Sequence, residues 1–423
     1  MRIKRYLRSA IAVALSSVMI LNMAGCGEKI NAADLMEDVS RQEVTGNAAD
    51  ESFINSQLEF YVDIFKKSVK ESGEKTEEGN VLVSPLSIML ALSMTANGAN
   101  GNTKTEMENV LANGMAIEDL NGYLYEYVNS LPSESKSKLS IANSIWIREK
   151  FNVQKDFLQT GINYYDAYVY STPFDDKTID DINKWVKQNT DGMIDKIMDE
   201  HGDHTVMYLI NAIAFDSEWK TKYEDSKIKS GIFTSYTGKE NRVEMMTSEE
   251  DTYLEDENTV GFVKPYKNDA YSFVALLPDE DIDIYDYIEE FSYEKYLALM
   301  EGKEYCTVHG TMPKFSYEYG TSMVDILKDM GMEESFNKYN ADFSNLGDTR
   351  DGKIYIGDVI HKTFIEVDAK GTKAAAVTKV DMAKCESVEI TKEKVVRLDR
   401  PFVYMIIDNQ TNLPIFMGVA MDI

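Results

Sequence analysis

Few residue groupings in this chain have the types and spacing that chemistry needs. His201 and His204 stand three apart, a spacing that could set two imidazoles on one metal ion. No third or fourth ligand accompanies them, so they read as part of a polar surface loop. Asp279-Glu280-Asp281-Ile282-Asp283 is like the opening of a calcium loop, but Ile284 sits where the sharp turn needs glycine. Gly98 and Gly101 give a GxxG without a following lysine, a turn rather than a phosphate cradle. Cys385 has no histidine close in sequence to act as its base, His361 being the nearest. The GxSxG elbow, the HExxH helix and the GKS/GKT loop are all missing. No enzyme activity, no metal and no cofactor are expected.

The informative stretch is Gly371 to Cys385. Taken alternately, Thr372, Ala374, Ala376, Thr378, Val380 and Met382 are small or apolar. The residues between them, Lys373, Ala375, Val377, Lys379, Asp381 and Ala383, include every charge up to that point, before Lys384. A half-buried strand needs this period of two, because successive side chains face opposite sides of a sheet. The three alanines Ala374 to Ala376 would also suit a helix. Gly371 offers a hinge. Periodicity does not say whether such a strand already lies in a sheet or waits to enter one.

The elements that would position it are legible nearby. Phe53, Leu58, Tyr61, Phe65 and Val69 fall at helical spacing, residues 73–80 form a polar loop, and Ser87 to Thr95 is apolar enough for a buried helix. Ile179, Ile182, Trp185 and Val186 mark another helix, as do Met323, Ile326, Leu327 and Met330. Ser272 to Leu277 reads as a strand, and residues 402–407 and 414–420 as a C-terminal hairpin.

With 423 residues, 43% hydrophobic and 27% charged, the chain can build a core without disulfide or metal. Its 72 acidic and 44 basic side chains give a net charge of −28, which disfavours nucleic acid and anionic membrane surfaces. At the N-terminus, Arg2, Lys4, Arg5 and Arg8 precede an apolar run to Met23 and then Ala24-Gly25-Cys26. That is the layout of an export signal over residues 1–25, and the small-small-Cys ending resembles a bacterial lipoprotein signal with Cys26 lipidated. Met23 stands where such signals prefer leucine. The polar, acidic residues 26–52 read as a tether, which leaves one folded body over 53–423.

Across that body the chain resembles a serpin. The motifs that carry the resemblance occur in order: Asn80 with Ser84-Pro85-Leu86-Ser87-Ile88, Ala142-Asn143-Ser144-Ile145-Trp146, and Leu209-Ile210-Asn211-Ala212 with Phe215 and Trp219. They continue through the run from His361 to Val367, and end at Asp399-Arg400-Pro401-Phe402 and Phe416-Met417-Gly418. The resemblance implies an α+β fold of three β-sheets and eight or nine helices, a monomer with an exposed reactive loop over about 369–398. It also implies an exported serine protease inhibitor that acts as a suicide substrate. The target protease acylates itself on the loop, and the cleaved loop enters the central sheet with the protease attached. Gly371, Thr372, Ala374, Ala375, Ala376 and Thr378 would be the hinge, and Trp219 would lie beneath the insertion point. Ser84, Ser87, Asn211 and His361 would be the polar cluster where the sheet parts.

Counting from the hinge puts the attacked bond at Cys385-Glu386, which suits elastase-like proteases with a modest apolar pocket. A register one residue shorter makes Lys384 the determinant for trypsin-like enzymes, and Met382 would serve a third class. Three features depart from the inhibitory pattern: Ala369 and Lys373 where glutamates are usual, and a long segment from Cys385 to Pro401. Lys373 should face solvent. A non-inhibitory serpin acting as a surface binding protein is the other reading, but such members often carry charged or bulky residues at the inward hinge positions.

Overall fold

The helical spacing that begins at Phe53 becomes the Glu51–Lys75 helix, with Phe53, Leu58, Tyr61, Phe65 and Val69 all buried. The computed structural model describes residues 29–75, 79–134, 137–200, 205–348, 353–373 and 392–423. Cys26, the His201/His204 pair, Ala374 to Thr378 and Met382 to Glu386 lie outside the described residues. The Pro85–Ala96 helix is mostly apolar and wholly buried, and proline at its first position gives up an N–H that has no intrahelical partner. The Asp176–Asn189 helix starts at a capping box of Asp175 and Thr178, and it buries Ile179, Ile182, Trp185 and Val186. The acidic run from Asp279 ends at Asp283, whose carboxylate caps the Ile284–Glu290 helix by accepting from the Tyr285 N–H.

Among the described residues the fold is α+β, with nine α-helices and three sheets. The central sheet has seven strands in the order Ala33–Asp34, Tyr168–Thr172, Ser137–Arg148, Met207–Glu218, Gly371–Thr372, Asp358–Val367, Phe315–Ser322. A nine-stranded sheet holds the C-terminal hairpin Phe402–Asp408 and Pro414–Ala420 at one end and Glu393–Arg397 at the opposite edge. The third sheet pairs only Asn152–Val153 with Gly347–Asp348.

The Met207–Glu218 strand is covered on both faces, as its nearly continuous apolar run requires. Met207, Leu209, Ile213 and Phe215 point into the main core. Tyr208, Ile210 and Ala212 point the other way, into a second cluster with Trp146, Tyr170 and Trp185 under the Asp176–Asn189 helix.

Residues 29–50 differ from the free tether that their polarity suggested, because backbone groups dock them alongside a few apolar side chains such as Ile30, Leu35 and Met36. The Asn31 and Ala32 N–H groups donate to the buried Asp181 carboxylate at 2.8 and 2.9 Å. Ala33–Asp34 adds an antiparallel strand beside Tyr170 and Ser171, and Met36 is buried. Further along, Gln42 N–H donates to Asn163 Oδ1 at 2.8 Å and Asn47 N–H to the Gly122 carbonyl at 3.0 Å. The folded body therefore starts by residue 29.

Removing the Asp181 carboxylate should free this segment. Asp181→Ala is expected to cost about 2 kcal/mol, the loss of charge-assisted bonds to backbone donors. Hydrogen exchange should show residues 31–36 losing protection while the Ser137–Arg148 strand keeps its own.

Candidate functional site

The site is a seam in the central sheet, between the Met207–Glu218 and Asp358–Val367 strands. At one end they pair directly and in parallel, from Tyr208 opposite Asp358 to Asn211 opposite His361. At the other end Gly371–Thr372 lies between them, with Thr372 opposite both Ser217 and Val367. Between these ends, residues 212–216 and 362–366 do not pair with one another, and no described strand separates them. The first two residues of the alternating stretch are therefore already in the sheet, which periodicity alone left open.

Steric fit accounts for Gly371. A Cβ there would come within 2.0 Å of the Ser217 carbonyl oxygen and 2.8 Å of Glu218 Cα, so only glycine passes. Thr372 is 3% exposed, and its hydroxyl hydrogen-bonds the Tyr266 hydroxyl at 2.6 Å. Lys373 then takes φ 39°, a left-handed turn that a residue with a Cβ adopts at a cost, while its N–H donates to the Glu366 carbonyl at 2.8 Å. Lys373 is half-buried rather than solvent-facing, with its ammonium 5.1 Å from the centre of the Phe364 ring.

Trp219 lies under this point. Its indole N–H donates to the Asp368 carbonyl at 2.8 Å, and its backbone N–H donates to the Lys370 carbonyl at 2.8 Å. Its ring stacks on Tyr266 at 4.4 Å between centroids. Beside it a buried ion pair joins Lys264 to Glu250 at 2.6 Å, with the ammonium over the Tyr223 ring at 4.3 Å. Burial pushes the Lys264 pKa down, while the nearby Glu250 carboxylate acts against that shift. Sequence reading missed Tyr266, Lys264 and Glu250. A lone lysine in the apolar run from Gly261 to Pro265 was the one available signal.

Ser84, Ser87, Asn211 and His361 do gather, at the closed end of the seam, and all are buried. The Ser84 N–H donates to His361 Nε2 at 3.1 Å, and the Ser84 hydroxyl donates to the Ile415 carbonyl at 2.8 Å. Asn143, unassigned from the sequence, accepts from the Asn211 side-chain amide at 2.5 Å. Ser87 Oγ, Asn211 Oδ1 and His361 Nδ1 have no hydrogen-bond partner among the described residues. Buried polar groups like these need partners, and exchanging them is one route for a sheet to part.

Burial lowers the His361 pKa from 6.5 to about 3, so the imidazole is neutral in the fold. Above pH 6.5 it is neutral folded or unfolded, and its contribution to stability is complete. As pH falls from 6.5 towards 3 only the unfolded chain takes the proton, so stability is lost, on the order of 4–5 kcal/mol in full. His361→Gln keeps an acceptor for Ser84 but does not titrate. Its apparent Tm, at one fixed scan rate, should fall several degrees less than wild type between pH 7 and pH 4.

Comparison with known proteins agrees with this geometry. A serpin-like protein of Methanosarcina acetivorans is 31% identical over 358 residues, 81% of either chain. The crystal structure of tengpin, a thermophilic serpin, in its native state is 47% identical with a TM-score of 0.87, covering 93% of this chain and 100% of that one. Tengpin in its latent state is 48% identical with a TM-score of 0.79, covering 90% and 100%. The family model for serpins, serine protease inhibitors, matches residues 55–423, and this chain belongs to the serpin family.

Proposed function

We propose that this protein inhibits serine proteases as a suicide substrate, with its own loop completing the open seam of the central sheet. The observation that carries this reading is the placement of Gly371–Thr372, with Thr372 paired on both sides, at the mouth of a gap that no described strand fills. If the ladder continues in register, Ala374, Ala376 and Thr378 fall opposite Phe215, Ile213 and Asn211. Five rows can then form before the direct pairs between Asn211–Tyr208 and His361–Asp358 must break. At about 3.3 Å per residue, Thr372 to Cys385 would extend roughly 45 Å, which carries an attached protease beyond the far end of the Met207–Glu218 strand. Dragging the acylated serine from its histidine and oxyanion hole halts deacylation.

A relative in this family adopts a latent as well as a native state, which supports a sheet able to change its strand content. Cleavage at Cys385-Glu386 by elastase-like enzymes is the preferred target reading, with Lys384 and trypsin-like enzymes as the alternative. The N-terminal pattern supports export and lipid attachment at Cys26 on the cell surface, with the inhibitor acting as a monomer.

Incubation with elastase-like and trypsin-like proteases should give an SDS-resistant complex, and mass mapping of the released fragment fixes the bond. Thr372→Arg puts a charge at a position only 3% exposed and should convert trapping into plain cleavage, with complex yield down at least about ten-fold. Cleaved wild-type protein should melt well above the intact form. Equal melting temperatures with no complex would overturn the proposal.

A further inference from the structure

One charge, Lys264, interrupts the apolar run from Gly261 to Tyr266, on the Thr259–Pro265 strand. Its side chain is 1% exposed, and its ammonium meets three acceptors, one for each N–H it can donate. They are Glu250 Oε1 at 2.6 Å, the Thr221 carbonyl at 3.2 Å and the Ser248 hydroxyl at 3.4 Å. The same ammonium lies 4.3 Å from the centre of the Tyr223 ring and 5.4 Å from that of Trp219. Both rings are within reach of a cation–π attraction. Lys264 therefore grips the turn from Trp219 to Tyr223 by the rings at its two ends and by a carbonyl between them.

That turn holds the foot of the reactive loop. The Trp219 N–H donates to the Lys370 carbonyl at 2.8 Å, and the Tyr223 N–H to the Ala369 carbonyl at 3.0 Å. The Trp219 ring stacks on Tyr266, whose hydroxyl bonds Thr372. The turn's own lysines are tied elsewhere, Lys220 to Asp269 and Lys222 to Glu218. Burying an ion pair is expensive, and a well-packed apolar pair in its place is often as stable or more so. Core stability is then a poor account of a lysine here, and holding the turn in one geometry is a better one.

We propose that Lys264, neutralised by Glu250, is a positioning residue for trapping: it fixes the Trp219–Tyr223 turn, and through it the first rung on which the cut loop builds. It thereby sets how often cleavage ends in a trapped protease. The inference rests on the inhibitory reading. Both fates begin from one ester between the protease serine and the loop carbonyl. Water can split that ester into a serine hydroxyl and a loop carboxylate, releasing the enzyme, or insertion can come first and strand it. A foot that frays must re-form its rung before the ladder grows, which costs closure entropy again and lets water win more often.

The test uses the full-length protein and a protease that the wild type traps. Lys264→Met together with Glu250→Met removes both charges and keeps similar bulk, so the fold should hold with a Tm near wild type. The number of inhibitor molecules consumed per protease trapped should rise about five-fold, as positioning is lost. Hydrogen exchange should quicken over residues 219–223 and 369–372 while the Tyr271–Pro278 strand keeps its protection. Lys264→Arg with Glu250→Asp keeps a buried cation and acid against the turn and should restore most of the trapping. Wild-type stoichiometry and wild-type exchange in the Lys264→Met, Glu250→Met protein would overturn the inference and leave trapping intact. So would a loss of protection shared equally by the Tyr271–Pro278 strand, which is the mark of a merely structural role. With no covalent complex from any protease, the inhibitory reading falls instead, and quicker exchange confined to the two segments would still uphold the grip on the turn.

Discussion

Everything in this molecule turns on a β-sheet that is shorter of hydrogen-bonded rows than its strands allow. The Met207–Glu218 strand is paired along its whole outer edge with Ser137–Arg148, from Ile147 opposite Met207 to Ser137 opposite Ser217. Among the described residues its inner edge is paired at the two ends, with four residues of Asp358–Val367 and with Gly371–Thr372. Backbone groups in a buried sheet need partners, and the segment next in line to supply them is the loop that continues from Thr372. A strand is the element that satisfies two facing edges together, which is why the proposed mechanism has the freed loop insert here.

The two faces of that gap explain the alternation in the loop sequence. Thr372 shares the side of Ser217, Phe215 and Ile213, which is the main core, where small or apolar side chains are tolerated. Lys373 and the alternate positions after it share the side of Ala212 and Ile210, beneath the Asp176–Asn189 helix. Charge on that side is bearable only where a long side chain can reach out past the helix. Lys373 already does something of this kind over Phe364. The same helix carries Asp181, which ties down the N-terminal segment, so the covering layer is itself fastened by the chain that precedes it.

Local patterns in the sequence were read correctly wherever one face of an element decides its burial. The Glu51–Lys75 helix, the wholly buried Pro85–Ala96 helix, the Tyr271–Pro278 strand and the C-terminal hairpin all announce themselves by their apolar pattern. What period cannot convey is a bond between backbone and a distant side chain. Residues 29–50 look like solvent-exposed tether because their anchorage is through N–H groups to Asp181 and Asn163, more than a hundred positions away. The Lys264–Glu250 pair escaped for a related reason: each residue is ordinary alone, and only the fold buries them together. The Ser84, Asn211 and His361 cluster came from family resemblance, since nothing in their spacing along the chain joins them.

One short turn stands at the mouth of the seam. Trp219 binds Asp368 and Lys370 and carries on its ring the tyrosine that holds Thr372. In the proposed inhibition, cleavage would free the strand, and Thr372 is already the first rung of the ladder. Insertion then needs only successive pairing from an existing end, which avoids the costly first step of nucleating a strand within a closed sheet.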